Sequence, residues 1–257
     1  MRCFSCGVIC GVCGLLLNQH LPPCMESRVL EGKGFQVRRY HGSDRDSVRA
    51  LCCETGFLGN AIDPVFEDRE IFADFLTDYY LKHEPDSAFV VTRESSLQGY
   101  LLGSRYPLRH QFHSLFQNFI YGGKILRRYF AYRPESRQYI HWLISRAWRE
   151  VPAAPRAIGH FHINLLPAAK SVVVCRQLIE TYLNHLYNHG VKRVHAQMVT
   201  FDGRRGSKLF ERYGFKVMNQ SEITKYRRFT VQPVYLCTIV KNLEKQKQSG
   251  RLLYPLR

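Results

Sequence analysis

Acidic residues are scarce in this chain. Its 257 residues include 21 Asp and Glu against 37 Lys and Arg, so the formal net charge is +16 at pH 7. Such an excess favours association with an anionic partner, which could be a nucleic acid, an acidic lipid surface or a polyphosphorylated small molecule. The charge alone does not choose among these partners, because a basic surface also serves solubility.

Long apolar runs are also lacking. Beyond the first 24 residues, no stretch approaches the roughly 20 apolar residues of a membrane span, which argues against stable insertion into a bilayer. No internal repeat is visible either. The 45% of hydrophobic residues are instead enough for the core of one domain that carries an insertion.

The nine cysteines lack the regular pattern of a disulfide framework. Scattered, unpaired cysteines in a chain of this length are typical of a reducing compartment and predict a cytoplasmic protein. Four are spread through the chain, and five crowd into its first 24 residues. The crowded five are Cys3, Cys6, Cys10, Cys13 and Cys24, and the spread four are Cys52, Cys53, Cys175 and Cys237.

The Cys-rich leader allows three interpretations. The pairs Cys3-x2-Cys6 and Cys10-x2-Cys13 have zinc-like spacing, but only three residues separate them, fewer than known zinc modules use. The apolar run after Arg2 resembles a signal peptide without a clear cleavage site. The third interpretation is a disordered or non-native extension, with Met25 as the true start. We predict no metal site and place residues 1–33 outside the fold.

Hydrophobic periodicity predicts alternating strands and helices over residues 34–243. Strands are expected at 35–40, 87–94, 97–106, 158–166, 191–200, 215–219 and 233–242. Helices are expected from Ser43 and Asp44 to Gly56, and over 66–84, 171–190 and 203–214. These elements predict an α/β (α+β) fold with a mixed, mostly antiparallel sheet and helices on both faces. Residues 244–257 are expected to form a basic tail.

Residues 107–156 interrupt this pattern with a long basic and aromatic stretch. We predict two or three amphipathic helices, broken at Gly122-Gly123 and Pro134 and inserted between the third and fourth strands. The stretch could be a lid on the acceptor side of an active site. It could instead be a platform for single-stranded nucleic acid, because such platforms also interleave aromatic and basic residues. Helices that pack in pairs give the same pattern, so nucleic acid is not the partner we predict.

The order β, α, α, β, β, inserted helices, β, α, β, α, β, β resembles the GNAT family of N-acetyltransferases. The words RRY at the first strand, IDPVFEDRE, HINLLP and FERYGF resemble bacterial members. The most specific segment runs from IGHFHINLLP through YGFKV. The resemblance implies a V-shaped gap in the sheet, acetyl-CoA as acyl donor and an amine as acceptor. It does not identify the amine or the oligomeric state.

The resemblance also implies where the acyl donor binds. Main-chain groups of the strand before the long helix, at Ile163, Asn164, Leu165 and Leu166, would hold the pantetheine and polarise the thioester carbonyl. The pyrophosphate would lie on the loop that opens the helix, where the family has Q/R-x-x-G-x-G/A. The corresponding residues here are Lys170, Ser171, Val172, Val173, Val174 and Cys175, followed by Arg176. Val173 and Cys175 replace both glycines, so the loop is a degenerate form of the motif.

Two proton carriers are needed by this chemistry. A base must deprotonate the acceptor ammonium, and His162 or His160 on the fourth strand is the candidate. Glu54, Asp63 and Glu67 are alternative bases. The family often protonates the leaving thiolate with a Tyr, but that position is Phe210 here. Tyr213, one turn further on, could substitute or could be a core residue.

These departures leave two further hypotheses beside acyl transfer. A non-catalytic GNAT-like module that binds a ligand or partner would explain Val173, Cys175 and Phe210 together. A nucleic-acid-binding protein built on the basic insertion is the third hypothesis. Acetyl transfer to an amine by direct attack, without an acyl-enzyme, is the function that we predict.

Overall fold

Seven strands form one mixed sheet in the computed structural model, which describes residues 34–201, 211 and 213–244. The strands are β1 (Phe35–Arg39), β2 (Ala88–Arg93), β3 (Ser96–Ser104), β4 (Gly159–Leu165), β5 (Arg193–Thr200), β6 (Lys216–Glu222) and β7 (Tyr235–Asn242). Their order across the sheet is β1-β2-β3-β4-β5-β7-β6, and only β4 and β5 are parallel neighbours. The predicted mixed, mostly antiparallel fold class is therefore confirmed.

Helices flank this sheet within the described residues. They are α1 (Arg45–Glu54), α2 (Arg69–His83), α3 (Pro107–Arg128), α4 (Pro134–Ser145), α5 (Ala147–Glu150) and α6 (Val172–Asn188). Side-chain caps fix two of the starts. The Asp68 carboxylate accepts from the Ile71 N–H at 3.1 Å, and the Ser171 hydroxyl accepts from the Val174 N–H at 3.2 Å. Helix α2 therefore begins three residues later than the sequence pattern suggests.

Two apolar cores lie on opposite faces of the sheet. Successive residues of a strand point to opposite faces, so Leu102 of β3 joins the core under α1, α2 and the insertion. Leu101 joins the core under α6. The sheet thus separates one face covered by α1 and α2 from a second face covered by α6.

The insertion between β3 and β4 is helical, as the sequence predicts, and consists of α3, α4 and α5. The expected break at Gly122-Gly123 is wrong, because α3 runs through both residues without interruption. Neither glycine has a positive φ, and neither is crowded by another atom. Glycine weakens a helix by only about 1 kcal/mol, which packing of the opposite face offsets.

Several predicted features lie outside the described residues. They are the Cys-rich leader, most of the helix expected over 203–214 with Phe210, and the tail beyond residue 244. None of the described helices is long and apolar enough to cross a membrane.

Candidate functional site

A gap opens in the middle of the sheet between the two parallel strands. Strands β4 and β5 pair only from Gly159 to Phe161 and from Val194 to Ala196, and their remaining residues have no mutual register. Each strand stays fully paired with its other neighbour, β4 with β3 and β5 with β7. The β4–β5 ladder therefore ends at Phe161 and Ala196, and the two strands diverge beyond these residues.

One backbone N–H group of β4, that of Leu165, points into this gap. The Leu166 N–H donates to the Gln98 carbonyl at 2.9 Å, towards β3. In an antiparallel ladder alternate residues face the same neighbour, so the Asn164 N–H also points to β3. The Leu165 N–H lies between them along the strand and therefore faces the gap. The set of main-chain donors predicted for the acyl donor is therefore smaller than expected, because the N–H groups of Asn164 and Leu166 face β3.

The first turn of α6 lacks the two glycines of the family's motif but is an ordinary helix start. The N–H groups of Val172 and Val173 have no acceptor within the helix, as at any helix N-terminus, and the dipole there favours negative charge. Neither Val173 nor Cys175 has a positive φ, so the backbone strain expected of a β-branched residue does not arise. Cys175 is buried in the core, and Val173 is half-buried. Only the bulk of Val173 remains as an obstacle.

The two cations of the loop are both engaged. The Lys170 ammonium donates to the Gly59 carbonyl at 3.4 Å, which ties the loop to the α1–α2 connection. Burial lowers the pKa of Lys170. Arg176 forms an exposed ion pair with Glu180 at 2.9 Å, one helical turn away. Exposed pairs of this kind are weak.

His160 and His162 both point to the α1/α2 face, and their surroundings differ. The Tyr80 hydroxyl lies 2.9 Å from Nε2 of His160, which is fully buried. His162 is half-buried, and its Nε2 has no hydrogen-bond partner among the described residues. Burial lowers the pKa of His162 to about 4 and that of His160 well below 6.5. Of the two, only His162 combines ring exposure with an unpartnered nitrogen.

Aromatic residues that the sequence did not single out complete this cluster. The His162 ring lies 5.1 Å from Tyr80 and 5.7 Å from Tyr100, centroid to centroid. His110 of α3 lies 4.4 Å from the His160 ring, and His195 of β5 lies 5.6 Å from it. Burial lowers the pKa of His110 to about 3 and of His195 to about 4. Their distance along the chain hides the cluster from sequence analysis.

The alternative bases are held in ion pairs. Arg69 binds Asp63 at 2.6 Å and Glu54 at 2.8 Å, and its hydrogen bonds lower the pKa of Asp63. Glu67 accepts from the backbone N–H of Arg133 at 3.0 Å and also pairs with its guanidinium. The lowered pKa makes Asp63 a weak base, and the other two carboxylates are engaged by arginine.

Tyr213 packs against the core on the α6 side of the sheet, where it is half-buried. Its carbonyl accepts from the Lys241 ammonium at 2.6 Å. The face agrees with a position near the leaving group, but a core tyrosine would occupy the same place. The role of Tyr213 therefore stays a prediction.

A pocket of about 340 Å³ lies on the α1/α2 side, between the α1–α2 connection, α4 and the β6–β7 loop. Val65 and Arg228 line it, together with Lys225 at its base. The Lys225 ammonium lies 5.4 Å from the Tyr139 ring and 5.0 Å from the Trp142 ring. Burial lowers the pKa of Lys225 to about 7. This site too was not predicted from the sequence.

Solved structures share the fold of this chain. SsHAT superposes with a TM-score of 0.56 at 24% identity, over 82% of this chain and 98% of its own. A GNAT superfamily phosphinothricin acetyltransferase from Sinorhizobium meliloti, solved with AcCoA, gives 0.50 at 12% identity, over 87% and 94%. The chain has the GNAT fold. No protein-family profile and no curated protein matches the sequence.

The sequence segments that resemble the GNAT family can be located on this fold. HINLLP covers the part of β4 that borders the gap and the turn that leads to α6. The residues that depart from the family's motif, Val173 and Cys175, lie in the first turn of α6. The gap and this helix start therefore adjoin through the short segment after β4.

Proposed function

We propose that this chain transfers an acyl group, acetyl in the first instance, from a CoA thioester to an amine. The observation that carries the proposal is the gap after Phe161, with the N–H group of Leu165 at its edge. Fixed N–H donors aimed at one place stabilise the charge that develops on a carbonyl oxygen. The S. meliloti enzyme of the same fold was solved with AcCoA, which supports an acyl-CoA donor.

The reaction proceeds by direct attack within a ternary complex. The amine nitrogen attacks the thioester carbonyl carbon, and the carbonyl oxygen becomes an oxyanion that accepts from the Leu165 N–H group at the gap. The C–S bond then breaks, and coenzyme A leaves as a thiolate. Cys175 does not form an acyl-enzyme, because its side chain is buried in the core under α6.

His162 takes the proton that the ammonium must lose before attack. A pKa of about 4 keeps its ring neutral at pH 7, so a lone pair is present throughout the physiological range. Its unpartnered Nε2 makes no competing bond to the described residues. Because Nε2 itself is covered, a small rotation of the ring accompanies proton transfer. Tyr213 is the candidate that returns a proton to the thiolate.

The pyrophosphate binds at the start of α6. The N–H groups of Val172 and Val173 and the side chains of Lys170 and Arg176 supply the positive potential there. The missing glycines weaken this contact, since the Val173 side chain keeps the phosphate from close approach. We therefore expect acetyl-CoA to bind less tightly than it would to a loop with both glycines.

The test measures binding and turnover separately on the full chain. Acetyl-CoA affinity is measured by calorimetry, and acetylated products from a panel of amines are measured by mass spectrometry. His162→Ala should leave the acetyl-CoA affinity nearly intact and lower kcat/KM by about 10² to 10⁴, the range for loss of a general base. The matched control is His141→Ala, which removes an exposed histidine of α4.

The outcomes distinguish the rival functions. A His162→Ala protein that is as active as the parent removes His162 from the mechanism but keeps acyl transfer. A parent that binds acetyl-CoA and acetylates no amine supports the non-catalytic module, which the bulk of Val173 favours. Salt-dependent binding to mixed oligonucleotides without acetyl-CoA binding would support a nucleic-acid-binding protein instead.

A further inference from the structure

Three metal-binding side chains converge at the end of α6 that lies away from the gap. His185 and His189 are one helical turn apart, and Asp86 lies in the short turn before β2. One ligand atom from each of the three residues lies within 4.8 Å of the other two. Two imidazoles and a carboxylate form a ligand set that zinc and other first-row divalent ions accept.

In each histidine, one ring nitrogen lies at hydrogen-bond distance from a neighbouring protein atom, and the other ring nitrogen is left for a metal ion. Nδ1 of His189 lies 2.7 Å from the His185 carbonyl, so it donates there and leaves the lone pair on Nε2. Nε2 of His185 lies 3.2 Å from the Ser87 hydroxyl, while its Nδ1 is buried without a hydrogen-bond partner among the described residues. Metal-binding histidines typically show this arrangement, in which the other nitrogen is fixed by a hydrogen bond.

Some charges around the three residues favour a bound cation, and others oppose it. Arg105 pairs with one oxygen of the Asp86 carboxylate and leaves the second oxygen for a ligand bond. The histidines lie at the C-terminal end of α6, where the helix dipole favours a cation. A metal ion would also give the buried Nδ1 of His185 a partner.

We propose that Asp86, His185 and His189 bind a divalent transition-metal ion, with zinc as the first candidate. The ion would tie the C-terminal end of α6 to the start of β2. His185 is 13 residues beyond the start of α6, about 20 Å along the helix, so this site is separate from acyl transfer.

Cobalt is the probe, because its visible spectrum reports the ligands. Titration of the full chain with Co²⁺ should produce d–d bands without a thiolate charge-transfer band, which distinguishes this site from the leader cysteines. His189→Ala removes an exposed side chain and should weaken this binding at least about tenfold, as should Asp86→Asn. His141→Ala, another exposed helix histidine, should bind as the parent does.

Two results would overturn the metal site. One is a parent whose only cobalt bands carry thiolate charge transfer. The other is a His189→Ala protein with unchanged stoichiometry and affinity. Thermal melts of each variant without metal show whether the fold is kept, and His189→Ala should melt like the parent.

A different surface carries a second inference, independent of the metal site. The outer face of α3 exposes a row of large apolar side chains, here called the α3 stripe: Leu108, Phe112, Phe116, Phe119 and Leu126. Each is between 58% and 75% exposed. The opposite face is fixed against the protein by His110, Ser114 and Tyr121, which are buried. Exposed apolar patches of this kind mark interaction sites.

The charge on α3 points to the occupant of the α3 stripe. The helix contains no Asp or Glu, and its cations are Arg109, Lys124, Arg127 and Arg128. A second copy docked on this face would bring equal sets of cations together, because an isologous interface repeats one surface on both sides. An anionic surface matches the cations and covers the apolar row.

The geometry assigns the α3 stripe to an anionic lipid surface. Helices with phenylalanine and leucine on one face and basic residues beside them lie in the plane of the interface, with the apolar face among the acyl chains. The helix would lie on the membrane without crossing it. The net charge of +16 adds attraction to anionic headgroups over the whole chain.

Vesicles test this assignment. The full chain should float with phosphatidylcholine vesicles that contain phosphatidylserine and stay behind with pure phosphatidylcholine. The double variant Phe112→Ser/Phe116→Ser should weaken flotation at least about tenfold. Val231→Ser, which changes a fully exposed apolar residue outside the α3 stripe, is the matched control and should float like the parent.

The contrary outcomes are specific. A double variant that floats as the parent does would show that binding comes from charge alone and would overturn the role of the α3 stripe. A parent that ignores both kinds of vesicle, but forms a dimer in light scattering that the double variant abolishes, would assign the face to a second copy.

Discussion

The buried histidines around the sheet predict that the protein is labile in mild acid. His110, His160, His162 and His195 all have pKa values lowered by burial, to about 3 or 4 where a value can be given. In the unfolded chain these residues titrate near 6.5. Between pH 6.5 and about 4 the unfolded state therefore binds protons that the folded state does not bind. The free energy of unfolding falls as the pH falls through this range.

The expected loss is large compared with the stability of a protein. Each histidine that is neutral when folded costs about 1.4 kcal/mol for every pH unit below 6.5. For the four histidines, a change from pH 7.5 to 5.5 removes roughly 5 kcal/mol, and whole domains are stable by only about 5 to 15. Asp44 and Asp63 have lowered pKa values, so their contributions are lost only below about pH 4 and lie outside this window.

Urea denaturation at pH 7.5, 6.5 and 5.5 measures this slope directly. His195→Leu should reduce the slope by about a fifth, whatever it does to stability at pH 7.5, because one proton uptake disappears and four remain, since the pKa of His185 is also lowered to about 4. His141→Ala should leave the slope unchanged, since this side chain is exposed in the folded protein too. A free energy of unfolding that is equal at pH 7.5 and 5.5 would refute the reasoning, as would assigned native resonances of these four buried histidines that titrate near 6.5.

Two further predictions concern stability. Gly103→Ala should destabilise the protein by about 1 to 3 kcal/mol, because the added Cβ would overlap the hydroxyl end of the buried Tyr182, whereas Gly122→Ala, in open space on α3, should be neutral or stabilising in the same urea measurement. Asp68→Ala should cost about 2 kcal/mol, because it removes the cap of α2 and the ion pair with Arg128, and a cost under 0.5 kcal/mol would contradict that role.

Local pattern was enough to predict most of the fold. The period of two along β4 and the period of 3.6 along α6 are set by burial on the two faces of one sheet, so each element carries its own signal. The strands expected at 87–94 and 97–106 place the hairpin turn at Ser95 and Ser96, one residue too late. The structure turns at Glu94 and Ser95, which both adopt positive φ. Neither residue is a glycine, so the sequence offers no strong turn signal there.

The site was less predictable, because its parts meet only through tertiary packing. The face that holds His160 and His162 follows from the strand period, but Tyr80 and His110 come from two other helices. In the degenerate loop, by contrast, the sequence suggests a distortion that the structure does not have. The substitution at Val173 suggests a distorted turn when it is read as a replaced glycine, whereas Ser171 caps an ordinary helix start and removes the need for positive φ.

The inserted helices bear on our proposal that a histidine is the base. Arg133, just before α4, pairs with Glu67, and Arg128 of α3 pairs with Asp68, so the insertion consumes carboxylates beside the α1–α2 connection. Arg69 occupies Asp63 in the same connection. These ion pairs engage the carboxylates of the connection. His162, a half-buried neutral imidazole on β4, makes no ion pair among the described residues, which is why we propose it as the base beside the gap in the sheet.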